Sequence, residues 1–113
     1  MYPNDIAEFF KERFGRNLIN CDHVHDSESK TIVDRPTDNL IIITNTFKRF
    51  LGYCSSTSYK EKRTLTITLK PGILIYHKDQ KWYGDRKRLR KDDAFELSDA
   101  DIMKLLELVR PDQ

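Results

Sequence analysis

Signals for export or membrane insertion are missing from the chain of 113 residues. The opening Met1-Tyr2-Pro3-Asn4-Asp5 has no basic stretch leading into an apolar run, and the longest aliphatic run, residues 40–43, is far too short to cross a bilayer. A cytoplasmic location is therefore expected. Cysteine is scarce: Cys21 and Cys54 stand alone, with no C-x-x-C pair and no dense framework, so free thiols are favoured over a single disulfide. The four glycines, at positions 15, 52, 72 and 84, are isolated, which excludes a glycine-rich phosphate loop. No Ser or Cys sits at a glycine-flanked elbow, so nucleophilic catalysis has no motif to rest on. Internal repeats and low-complexity segments are absent as well.

What is present is enough apolar material for one core and no more. Hydrophobic residues make up 38% of the chain and charged residues 34%, the balance of a single globular domain covering residues 1–113. The small net charge of +2 conceals segregation. Residues 60–91 carry eleven Lys and Arg against three acids, whereas residues 92–113 carry seven acids against two cations. A local field of this kind attracts an anion that the whole-chain charge would not.

The pattern of apolar residues predicts an α+β domain. Ile6, Phe9, Phe10 and Phe14 form one stripe of a helix over residues 4–14, which Asn4 caps and Gly15 ends. Residues 18–19 and 31–33 read as short strands, 34–39 as a loop, and 40–44 as a strand in the middle of the sheet with both faces covered. Residues 46–53 fit a strand or a helical turn, and the strand is preferred. Strict alternation over 63–69 predicts a half-exposed strand. Pro71-Gly72 turns the chain into 73–76, residues 77–80 read as a second turn, and 81–83 as a further strand, giving an antiparallel meander. Ser98 and Asp101 form a capping box for a last helix, with Leu97 and Ile102 as its hydrophobic staple and Pro111 as its stop. The expected fold is an N-terminal helix, an antiparallel sheet of about five strands and a C-terminal helix packed on it.

Three chemistries compete for the polar residues. Cys21, His23 and His25 alternate and would share one face of an extended segment, but the chain has only three His, so a metal site would have to recruit His77, Cys54 or Asp26. Glu28-Ser29-Lys30 and Asp79-Gln80-Lys81 have the acid-x-Lys spacing of metal-dependent nucleases, a pattern that also recurs by chance. Neither case is complete, and the sequence points away from an enzyme and from any cofactor or metal.

Anion binding is the better-supported expectation. The candidate residues are Lys60, Lys62, Arg63, Lys81, Trp82, Tyr83, Arg86, Lys87, Arg88, Arg90 and Lys91, cations interleaved with rings on which bases can stack. If 86–91 is extended, Arg86, Arg88 and Arg90 share one face. The bland alternative is a charged edge strand, neutralised internally by Asp92, Asp93 and the acidic last helix. The expected role is a small binding module for nucleic acid or another polyanion. A regulatory or inhibitory protein that engages an acidic protein surface is the alternative. A lipid-headgroup module shares only the order of strands then helix.

Overall fold

The computed structural model describes residues 3–20, 26–50, 58–83 and 88–109. The first helix, α1 (Pro3–Phe14), starts with a proline in its first turn, where the missing N–H has no intrahelical partner to lose. Its stripe buries Ile6 and Phe10 completely, with Phe9 and Phe14 half-buried at its margins. Gly15 ends it at φ +66°, a conformation glycine adopts without strain, and its N–H closes on the Lys11 carbonyl at 2.8 Å.

Five strands follow: β1 (Asp26–Thr37), β2 (Leu40–Phe50), β3 (Ser58–Thr68), β4 (Ile73–Tyr83) and β5 (Arg88–Glu96). They pair antiparallel in the order β1-β2-β3-β4-β5, so each strand lies beside its neighbour in the chain. The last helix, α2 (Asp99–Leu108), closes the fold. The expected architecture of helix, five-stranded antiparallel sheet and helix is the one observed.

Several details depart from the sequence reading. Residues 77–80 make no turn, because β4 runs straight through them and is paired on both sides, by β3 and by β5. Local turn preference yields to a ladder already committed on both edges. The middle strand is β3, not the aliphatic β2. Nor are both faces of β2 covered: Ile41 and Ile43 are fully buried, while Leu40 and Ile42 keep partial exposure on the opposite side. The loop expected over 34–39 shrinks to a turn at Asp38 and Asn39. Leu18 and Ile19 are buried but form no strand. Beside them the Asn45 side chain imitates a strand neighbour, accepting from the Asn20 N–H at 2.9 Å and donating to the Asn20 carbonyl at 3.1 Å.

The core lies between one face of the sheet and the two helices. Ile41 and Ile43, Leu65 and Ile67, and Leu74 and Tyr76 come from β2, β3 and β4, and meet Ile6, Phe10, Leu18, Ile19, Leu97 and Leu105. Strands of 11 residues reach about 37 Å, whereas a helix of 12 residues reaches about 18 Å. The helices therefore cover only the half of the sheet that ends in the β1–β2 and β3–β4 turns. Asn39 ties those turns together: its amide donates to the Lys70 carbonyl at 3.0 Å and accepts from the Lys70 N–H at 2.9 Å. At Gly72 a β-carbon would collide with the Leu97 backbone carbonyl, which explains why glycine occupies the bend that receives the β5–α2 connection.

The helices are tied by one carboxylate. Asp101 accepts from the Ser98 N–H at 2.9 Å and from Arg13 Nε at 2.9 and 3.0 Å, while its own N–H donates to Ser98 Oγ at 3.2 Å. Burial pushes the Asp101 carboxyl up, but the Ser98 N–H and the Arg13 guanidinium together outweigh it and hold the group below the usual carboxylate range. A depressed native pKa contributes stability above the unfolded value, and that contribution is lost as pH falls through the native one. Urea unfolding should accordingly show Asp101→Asn less stable than wild type at pH 7 by about 1–2 kcal/mol, with a shallower loss of stability between about pH 5 and 2. Equal acid sensitivity in the two proteins would rule out this role for Asp101.

Candidate nucleic-acid interface

Alternation along the strands divides the polar residues between two faces, and pairing then aligns them across the sheet. On the helix side, beyond the reach of the helices, Phe47, Tyr59, Glu61, Arg63, Gln80 and Trp82 fill the remaining half. Glu61 is 1% exposed and accepts from both Arg63 Nε and Gln80 Nε2. Arg63 also donates to the Asn17 carbonyl at 2.9 Å and lies 5.2 Å from the centre of the Phe47 ring. Tyr59 packs on Trp82 at 4.6 Å between ring centres, and Trp82 Nε1 donates to Gln80 Oε1 at 3.3 Å. Two of the sequence candidates, Arg63 and Trp82, thus belong to an internal network. Lys91 is on the same side, 3.9 Å from Asp93, which also pairs with Arg16 at 2.9 Å.

The opposite face carries no helix. Pairing registers place Lys48, Lys60, Lys81 and Arg88 directly opposite one another, one on each of β2, β3, β4 and β5. The adjoining row reads Lys30, Thr46, Lys62, Asp79 and Arg90 from β1 to β5. At about 4.8 Å between strands the first row spans about 14 Å, and the second lies about 7 Å along the strands from it. Seven cations and one acid share this band. Asp79 accepts from Arg88 Nε at 3.1 Å and Nη2 at 2.7 Å, with Arg90 Nε at 4.0 Å. The Arg88 hydrogen bond, supported by the charges of Arg88, Arg90 and His77, holds the Asp79 carboxyl below its ordinary range, and Asp79 in turn raises Arg88.

Beyond the band the same face changes character. The next row holds Ile32, Thr44, Thr64, His77 and Asp92, with His77 Nδ1 against the Asp92 carboxylate. The row after it holds Asp34, Ile42, Thr66, Ile75 and Ala94. Ile32 and Ile75 are 47% and 48% exposed.

The juxtaposition of like charges across the strands is itself unfavourable to the sheet. Like charges directly opposite on a sheet are unfavourable, by up to about 1 kcal/mol per pair at 4 Å in water. Charges on edge strands guard against edge-to-edge association, which explains Lys30 on β1 and Arg88 and Arg90 on β5. It does not explain Lys48, Lys60, Lys62 and Lys81, because β2, β3 and β4 are interior.

The structure therefore gathers Lys60, Lys62, Lys81, Arg88 and Arg90 from the sequence candidates and separates Arg63, Trp82 and Lys91 from them. Tyr83 ends β4 opposite Ser58, and Arg86 and Lys87 lie outside the described residues. Sequence reasoning missed Lys30 and Lys48, which join the band only through strand register. The acids expected to neutralise the cationic segment do so in part: Asp93 takes Arg16 and Lys91, Asp92 takes His77, and Asp101 takes Arg13, while Arg88 turns to Asp79.

Among the described residues no three His, Cys, Asp or Glu side chains gather in a way that could hold a metal ion. Cys21, His23, His25 and Cys54 lie outside the described residues. Glu28 sits in a bulge of β1 at φ +55°, and Asp79 is engaged by arginine. No helix among the described residues is long and apolar enough to cross a membrane. No protein-family model matches the chain, and neither a curated protein nor a solved structure gives a significant match.

The internal network is tested by Glu61→Ala, which strands Arg63 and Gln80 without their shared acceptor. Chemical denaturation should register a loss of about 3 kcal/mol or more. A loss below about 1 kcal/mol would mean that the carboxylate is not what holds this half of the sheet.

Proposed function

We propose that the protein is a small binding module that holds nucleic acid, or another polyanion, against the cationic band of its open sheet face. The observation that carries this reading is the outer row: four cations at opposed register positions, three of them on interior strands where edge protection has no purpose. Bringing a polyanion against the row replaces mutual repulsion by attraction and releases the polyanion's counterions. Threonine hydroxyls of Thr46 within the band and of Thr44 and Thr64 beside it add neutral donors for phosphate oxygens.

Gel mobility shift with DNA and with RNA tests this. Binding should appear near 50 mM salt and weaken by about a thousandfold between 50 and 200 mM, as expected when six or more phosphates are neutralised. Arg90→Glu should weaken binding about tenfold or more and flatten the salt dependence, whereas Lys91→Glu, the next residue but on the other face, should leave both unchanged. Absence of any shift at low salt rejects the reading, and equal effects of the two reversals reject the face.

A second reading, an acidic protein surface as partner, draws on the exposed Ile32 and Ile75 beside the band, since apolar anchors within a charged field suit a protein interface. Its test is a purified complex that survives nuclease treatment and is lost on Ile75→Glu. Dependence of the complex on nucleic acid would dismiss it.

A further inference from the structure

Resting on the polyanion reading just proposed, we infer that His77 is a conditional member of that site. Protonated, it adds a cation and a donor for a phosphate oxygen; neutral, it leaves the charge of Asp92 uncovered on the same face, so binding strengthens as pH falls through the histidine range.

Placement comes first. His77 stands on the open face in the row next to the band, opposite Thr64 on β3 and Asp92 on β5. That row lies about 7 Å along the strands from Lys62, Asp79 and Arg90, within the screening length of about 10 Å at 0.1 M salt. The groups that face the imidazole are Thr64, Lys62 and Thr66 from β3, Asp92, Arg90 and Ala94 from β5, and Ile75 and Asp79 from its own strand. Both helices pack on the other side and add nothing. Two acids thus offset two cations around His77, and its own charge decides the sign of the local field.

The contact with Asp92 determines which proton moves. His77 Nδ1 lies against the Asp92 carboxylate, and a ring nitrogen in that position keeps its hydrogen in both protonation states, because a lone pair there would face another. The proton that comes and goes is therefore on Nε2. Above the histidine range the pair carries the charge of Asp92 alone; below it the pair is neutral and Nε2 has gained an N–H. The two side chains are 40% and 70% exposed, open to a ligand lying on this face. The band already senses the imidazole: after the Arg88 hydrogen bond, the charge of His77 is among the influences that hold the Asp79 carboxyl low. His77 is the one histidine among the described residues, and lysine, arginine and aspartate keep their ordinary charges between about pH 5 and 8.

The test measures binding of short DNA and RNA oligonucleotides to the full chain at about pH 5.5 and about pH 8, at constant low salt. Wild type should bind about three- to tenfold more tightly at the acid end, with a salt slope steeper by about 0.7–0.9, as one further phosphate is neutralised. His77→Gln should bind at the wild type's alkaline level at both pH values, and His77→Arg at its acid level at both. Displacement of the two variants in opposite directions excludes a folding defect as the cause. Asp92→Asn should tighten binding at the alkaline end by a similar factor. Absence of a pH effect in wild type, or an effect that persists undiminished in both His77 variants, as titration of His23 or His25 would give, overturns the role of His77 while leaving polyanion binding standing. Failure of DNA and RNA to bind at either pH would instead remove the polyanion reading itself.

Discussion

Register is the constraint on which everything else in this molecule depends. From β2 to β5 the pairing runs without an irregularity, so residues of like parity stay on one side over three consecutive ladders. Slippage of one strand by a single residue would carry its aliphatic side chains out of the core and its lysines into it. Two things pin the register. At the turn end Asn39 links the β1–β2 and β3–β4 turns, and next to it Ile41, Ile67, Leu74 and Phe95 stand opposite one another under the helices. Only β1 departs, with an extra residue at each of two bulges, and the first of these sets which side Lys30 occupies.

Because both helices are short relative to the strands, the helix-side face has two halves with different physics. One half is an apolar core, and the other a polar network around a buried carboxylate. The network keeps three cationic or aromatic residues, Arg49, Arg63 and Trp82, engaged in the interior, where Arg49 donates to the Tyr59 hydroxyl at 3.1 Å. The open face is left with a gradient from apolar at the turn end, through threonine, to cationic at the other. The two faces thus separate the basic residues even though those residues are interleaved in the chain.

How much of this could be read from the sequence follows from the range of the interactions involved. The stripe in α1, the alternation of residues 63–69 and the capping box of α2 are local, and each was legible. The uninterrupted course of β4 was not, because the residues that look like a turn are held extended by ladders on both sides. The site was legible as a region but not as a surface. Arg90 and Lys91 are neighbours in the chain and lie on opposite faces, whereas Lys48 and Arg88 are 40 residues apart and belong to one row. Such membership is a product of pairing, and no window along the chain contains it.

Asp79 gives the band a property that its lysines alone would not have. Its carboxylate is a tethered counter-ion, always present at the same spot and already satisfied by Arg88. The positive field of the band is thereby weighted away from β5 and towards the lysines of β1 to β4, so the open face is asymmetric in charge across the strands although its register from β2 to β5 is uniform.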